Sequence, residues 1–224
     1  MKNRPSFSSA CFAILSTFMG LASAFAESIS VEELNSGWAF YGNGIRKAER
    51  GMLYMKESPG SLGVMLVSPD AYGEAVTVKY EIMPLTAASV CVLVMSASDP
   101  GDALTLNLPD NYDGSMGHWI NSTENYFFAF HNASHNRFPF AIRFPERKLI
   151  DEHQESVMTN GKFHEVEVGR KDGKIWLKID GKTIVEGVDE DPLGAGYLAF
   201  RIRGLSEEPA ACLIRKVRIE THLE

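Results

Sequence analysis

Residues 163 to 187, FHEVEVGRKDGKIWLKIDGKTIVEG, leave this chain little choice of secondary structure. Val166 and Val168 alternate with Glu165 and Glu167, and Ile175, Leu177 and Ile179 alternate with Lys174, Trp176 and Lys178. Successive side chains of a strand point to opposite faces, so this period of two describes half-buried strands. Asp172-Gly173 and Asp180-Gly181 fall between the runs. Asp-Gly supplies the positive φ values of a tight hairpin turn, so three consecutive antiparallel strands are predicted. Trp176, in phase with the lysines, is expected to pack on the outer face.

The same period recurs along the chain. VTVKYEIMP places Val76, Val78, Tyr80 and Ile82 on one face and Thr77, Lys79 and Glu81 on the other. SVCVLVMSA is apolar on both faces, as a central strand covered from both sides would be. GYLAFRIRG and CLIRKVRIE add strands near the C-terminus. Helix signals are confined to one turn at Ser30 to Leu34, with Ser30 as cap and Glu33 three residues on. Many short strands, regular turns and no long amphipathic helix predict an all-β fold, a two-sheet antiparallel sandwich. No repeat, linker or shift in composition divides the chain.

The N-terminus has a different character. Lys2 and Arg4 precede an apolar run from Ala10 to Ala22, and Ala24-Phe25-Ala26 has the small-x-small form of a signal-peptidase site. Residues 1–26 are therefore expected to be a signal peptide and 27–224 a single exported domain, periplasmic or extracellular. The apolar run falls short of the ~20 residues of a spanning helix, so no membrane span is expected. The full chain carries −7; without Lys2 and Arg4, 20 basic residues face 29 acidic ones, giving −9. That balance argues against nucleic acid or anionic membrane as partner. Cys91 and Cys212 both lie in apolar strand-like runs; export permits a disulfide, and burial as free thiols is the competing expectation.

The order of features, with GWAFYGNGIRKAERGMLYM first, then the hairpin around KIWLKIDGK, GYLAFRIRG and a closing LIRKVRIE, resembles the jelly roll of the concanavalin A-like lectins and glucanases. Within that superfamily, FYGNG, FFAFHNASHNRFPF and LAFRIRG resemble the uncharacterised bacterial YesU-like family. The resemblance implies a jelly-roll sandwich and a polysaccharide or oligosaccharide partner held in a concave groove. It implies no particular reaction and no oligomeric state.

YFFAFHNASHNRFPFAIRFP, residues 126 to 145, carries the densest polar chemistry. Alternation assigns Tyr126, Phe128 and Phe130 to the core and turns His131 outward, towards the groove; Asn132, Ser134, His135, Asn136 and Arg137 then read as a loop or bulge. Elimination across a uronate-containing bond would use His131 or His135 as base, Tyr126 as acid or base, and Asn132, Asn136, Arg137 and Arg143 as carboxylate donors. Hydrolysis needs two facing carboxylates, and the Glu-x-Asp-x-x-Glu run of jelly-roll glucanases is missing; DEHQE, 151 to 155, reads as a solvated loop. Binding alone would use Trp119, Asn121 and Tyr126 with the cluster, Arg201 and Arg203. Histidines titrate near neutral pH, which tilts the reading towards an enzyme over a pure binding module.

No cofactor is expected. His131 and His135, four apart, would converge on a helix but not after a strand, so no zinc centre is predicted. SDPGDALTLNLPDNYDG offers Asp99, Asp102, Asp110, Asn111 and Asp113 as oxygen donors for a structural calcium, in residues equally suited to turns.

Overall fold

The computed structural model describes residues 24–205 and 207–222. The expected signal peptide lies outside the described residues as far as residue 23, and Ala24, Phe25 and Ala26 belong to the first strand.

In chain order the strands are β1 (Ala24–Ile29), β2 (Ala39–Gly42), β3 (Gly44–Glu49), β4 (Met52–Glu57), β5 (Val64–Tyr72), β6 (Val76–Pro84), β7 (Val90–Ser98) and β8 (Glu124–Phe130). They continue as β9 (Phe140–Phe144), β10 (Lys148–Glu152), β11 (His164–Lys171), β12 (Lys174–Ile179), β13 (Lys182–Val188), β14 (Gly196–Arg203) and β15 (Ala211–His222). One sheet runs β13-β12-β11-β6-β15-β4-β3, with β1 also paired to β15; the other runs β10-β9-β8-β7-β14-β5-β2. Neighbours pair antiparallel, as in β11 with β12, β6 with β15 and β7 with β8. The all-β sandwich predicted from periodicity is what forms.

Local chemistry explains the elements. Asp172 and Gly173 have φ of 50° and 75°, and Asp180 and Gly181 have 50° and 76°. These are the left-handed values that let a two-residue turn follow the strand twist. Helix α1 (Val31–Ser36) starts where Ser30 Oγ accepts the Glu33 N–H at 3.1 Å, and it buries Val31 and Leu34. A second short helix, α2 (Gly117–Asn121), interrupts the long β7–β8 connection.

The core between the sheets contains Val78, Tyr80, Val168, Leu177 and Ile214 from one side and Leu93, Tyr126, Phe128, Phe130 and Phe200 from the other. Each such side chain contributes about 1.5–3 kcal/mol by leaving water. Cys91 and Cys212 are buried free thiols in this core, which resolves the disulfide question against a bond. Burial pushes the Cys91 thiol up to about 12.

The alternate residues of the seven-stranded sheet point away from that core and are also buried. Met65, Val67, Val92, Val94, Phe127, Ala129 and Ala199 pack under Leu106, Leu108, Tyr112, Met116, Trp119 and Ile120 of the β7–β8 connection. Residues 99–123 thus form an arm laid across the outer face. This is why β7 is buried at every position, as its doubly apolar sequence predicts.

Candidate functional site

The arm decides which part of that outer face remains open. Its anchor is Arg201, 2% exposed, whose guanidinium donates to Leu62 O at 2.7 Å and to Gly114 O at 3.1 and 3.3 Å. Burial pulls this group down to about 10. Gly114, φ 84°, comes so close to Gly63 that a Cβ would lie 2.0 Å from the Gly63 carbonyl oxygen. Trp119, on the underside of the arm, is fully buried. Neither Arg201 nor Trp119 therefore meets a ligand, a correction to their expected sugar-binding roles: an apolar sheet face needed covering, and they supply and hold the cover. Three of the acids suggested for calcium, Asp99, Asp102 and Asp113, accept hydrogen bonds within turns of the same arm. Asp99 accepts from Asn107 N–H at 3.1 Å and Nδ2 at 2.6 Å, Asp102 from the Thr105 hydroxyl at 2.8 Å, and Asp113 from Ser115 N–H at 2.9 Å. Among the described residues no group of three or more His, Cys, Asp or Glu side chains gathers as a metal site.

His131 also departs from expectation. Its φ of 46° breaks the strand alternation and turns the ring inward, leaving it 1% exposed. Nδ1–H donates to Ser89 O at 2.7 Å. The Asn160 amide, oriented to satisfy its neighbours, donates to Nε2 at 2.7 Å and accepts from Ala87 N–H at 3.1 Å. Both ring nitrogens are occupied in holding loops together, so His131 is not a catalytic base.

Tyr126 lies in the core as alternation predicts, and its catalytic role falls with that placement. The hydroxyl donates to Asp189 Oδ2 at 2.8 Å and accepts from Leu193 N–H at 2.9 Å; burial pushes it up to about 12. Arg143, opposite Tyr126 in the β8–β9 register, donates to the same Asp189 oxygen at 2.8 Å, and Lys148 reaches Asp189 Oδ1 at 2.8 Å. Asp189 is buried just beyond β13, so this cluster joins the edges of both sheets. Arg143 is thereby taken from the carboxylate-binding role expected of it.

The remaining predicted residues scatter. Asn121 lies on α2, donating to Gly117 O at 2.8 Å and accepting from Arg147 at 3.2 Å. Arg203 is exposed at the end of β14, in a small polar cleft with Glu57 and Ser58. Arg137 reaches Ala87 O at 3.5 Å, and Asn136 and Arg137 take φ of 51° and 64° in the turn. Asn132 organises that turn. Its carbonyl accepts the N–H groups of His135 at 3.0 Å and Arg137 at 2.7 Å, and its side chain accepts the Ser134 hydroxyl at 2.8 Å.

Beyond the arm, one stretch of the outer face stays open. A shallow hollow of about 530 Å³ is lined by Phe140 and Ile142 of β9, Leu149 and Glu152 of β10, and Asn132, Ser134 and His135 of the β8–β9 loop. Its floor rests on Phe127, stacked on Phe140 with ring centres 6.0 Å apart. Leu149 is 56% exposed. His135 Nε2 contacts Glu152 Oε1 at 2.7 Å, and the other Glu152 oxygen accepts from Gln154 at 2.7 Å. A bulge assembles this surface. Leu149 pairs with Ile142 and Glu152 with Phe140, with the register shifting between Leu149 and Asp151. In an unbroken strand Leu149 and Glu152, an odd number of positions apart, would face opposite sides. DEHQE is thus not wholly a solvated loop, because its first two residues end β10. Of the predicted residues, His135 and Asn132 line the hollow; Phe140, Ile142, Leu149 and Glu152 were not anticipated.

Comparison with known proteins places this geometry in context. No family model matches the chain, and no curated protein matches it. Solved structures do. A Bacillus subtilis protein of unknown function with a galectin-like fold superposes with a TM-score of 0.76 at 13% identity, covering 89% of this chain and 96% of its own. At this identity the match shows the fold alone, a two-sheet antiparallel jelly roll. The carbohydrate-binding module CBM66 of Bacillus subtilis follows at TM-score 0.56 and 14% identity, covering 81% of this chain and 94% of that one. The Bacillus licheniformis β-glucanase matches at 0.58 and 13%, covering 91% and 99%. The jelly-roll resemblance holds at the level of fold, and the YesU-like one is consistent with the first of these structures.

Proposed function

We propose that this protein binds carbohydrate in the hollow between the β8–β9 loop and β10, without cutting it. The observation that carries this reading is the bulge of β10, which sets an exposed apolar floor beside Glu152, His135, Ser134 and Asn132. Saccharides present apolar C–H patches and hydroxyls together, and a site that recognises them needs both kinds of surface. Fold relatives that include a carbohydrate-binding module and a β-glucanase support the class of ligand. Export, read from the composition of residues 1–26, would place the encounter outside the cytoplasm; N-terminal sequencing of exported protein should then begin at Glu27.

Binding is favoured over catalysis because the chemistry does not converge. Glu152 is the one carboxylate lining the hollow, whereas hydrolysis takes two, about 5–9.5 Å apart. The His135–Glu152 contact supports a second reading, elimination with His135 as base, but Arg137 and Arg143 are directed elsewhere. The test is calorimetric titration of residues 27–224 with a panel of oligosaccharides, while reducing ends and absorbance near 235 nm are followed. Binding without either product, weakened about tenfold or more in Phe140→Ala with folding intact, is the expected result. Failure to bind any saccharide overturns the proposal, and new absorbance lost in His135→Ala replaces it with the lyase reading.

A further inference from the structure

We infer that the hollow selects neutral saccharides and rejects uronate-containing ones. This rests on the saccharide reading of the same site and adds the ligand's charge. The floor of Phe140, Ile142 and Leu149 offers no hydrogen bond. At its edge Glu152 is held by His135 on one oxygen and Gln154 on the other, each at 2.7 Å, which directs the carboxylate along the rim of the hollow.

The cations that a uronate would require are committed elsewhere. Arg143 faces Asp189 and the Asp191 carbonyl, Lys148 faces Asp189, Arg147 contacts Asn121, and Arg137 leans on the Ala87 carbonyl. None of the four lines the hollow, whose one basic side chain, His135, is held against Glu152. A sugar carboxylate seated on this floor would meet the Glu152 charge, with His135 already engaged by that carboxylate and no arginine or lysine in the lining, while a neutral ring would lay C–H groups on the apolar floor and direct hydroxyls to Glu152, Ser134 and Asn132. The net charge of the chain, −7, has the same sign as the repulsion.

The test compares neutral gluco-, fructo- and galacto-oligosaccharides with oligogalacturonate and oligomannuronate of matched length, at pH 8.5, about two units above the ordinary pKa of a free imidazole. At low ionic strength the best neutral ligand should bind about tenfold or more tighter than either uronate, the scale of one like-charge contact near a protein surface. The gap should narrow in 0.5 M salt, taken as about the level at which such contacts are screened. Glu152→Gln, which keeps the shape and removes the charge, should bring the uronates to within about threefold of the neutral ligand. Uronate binding as tight as neutral binding, or discrimination unchanged in Glu152→Gln, overturns this inference and leaves carbohydrate binding standing. Silence on both ligand sets overturns the saccharide reading itself.

Discussion

Replacing Asp189 with asparagine tests how the two sheets are held together along their shared edge. The carboxylate is fully buried and takes three donors at 2.8 Å, from Tyr126, Arg143 and Lys148. Tyr126 and Arg143 belong to one sheet and Asp189 follows the edge strand of the other. A hydrogen bond to a charged group contributes about 1.5–3 kcal/mol when buried, and Lys148, half exposed, counts for little. Asparagine keeps the shape but leaves Arg143 without its buried counter-ion, so a loss of about 3 kcal/mol is expected. In a chain of this size that corresponds to about 6–12 °C in Tm.

The pH dependence provides the sharper check. Burial pushes the Asp189 carboxyl upward, but the bonds from Lys148, Tyr126 and Arg143 together outweigh it and hold the group below the usual aspartate value. A depressed pKa means that the stabilisation is complete above the unfolded value of about 3.9 and is lost as pH falls through the lower folded value. Urea unfolding of both proteins at pH 7.5 and through the acid range should show a gap of about 3 kcal/mol that closes only in strong acid. A variant within about 0.5 kcal/mol of the parent at pH 7.5, or a gap that widens on acidification, would refute the reasoning.

Other substitutions separate structure from binding. His131→Ala should cost about 1–3 kcal/mol by orphaning the Ser89 carbonyl, yet leave saccharide affinity unchanged; a selective loss of affinity would return His131 to the site. Thiol reagent at pH 8 should label neither Cys91 nor Cys212 in the folded protein and both after denaturation, because both are buried and free. Gly169→Ala should destabilise by about 1–3 kcal/mol, since a Cβ there would come within 2.1 Å of the Trp176 ring; unchanged urea unfolding would show that the indole simply moves aside.

What could be read in advance was what depends on near neighbours in the chain. Alternation found the β11–β13 hairpins, assigned Tyr126, Phe128 and Phe130 to the core, and required β7 to be covered on both faces. His131 was misplaced because one left-handed residue reverses the direction of a side chain, and nothing in FAFHNA marks where that occurs. The hollow escaped for a similar reason. The bulge beside Ile150 brings Leu149 and Glu152 to one face, while Ile150 packs towards the core and fills the space that a side chain at Gly187 would need. Arg143 and Tyr126 found their partner 46 and 63 positions away, beyond the reach of any local pattern. One signal was available and unused. Leu106, Leu108, Tyr112, Met116, Trp119 and Ile120 are too apolar for a free turn-rich segment, and β7 was already asking for a cover.

The arm also bears on how this scaffold could be diversified. Its ends leave and re-enter the sheet at Ser98 and Glu124, which face each other in the β7–β8 register. A much shorter link could close that gap at small cost in loop entropy, since closure depends only weakly on length. What a short link could not do is shelter Val92, Val94, Phe127 and Ala129, so a bare deletion would leave a greasy sheet that sticks to other chains. Residues 99–123 are thus replaceable but not removable. Any substitute must bring its own apolar underside, while its upper surface and its reach towards β10 are free to vary, making this connection the natural place to graft new specificity.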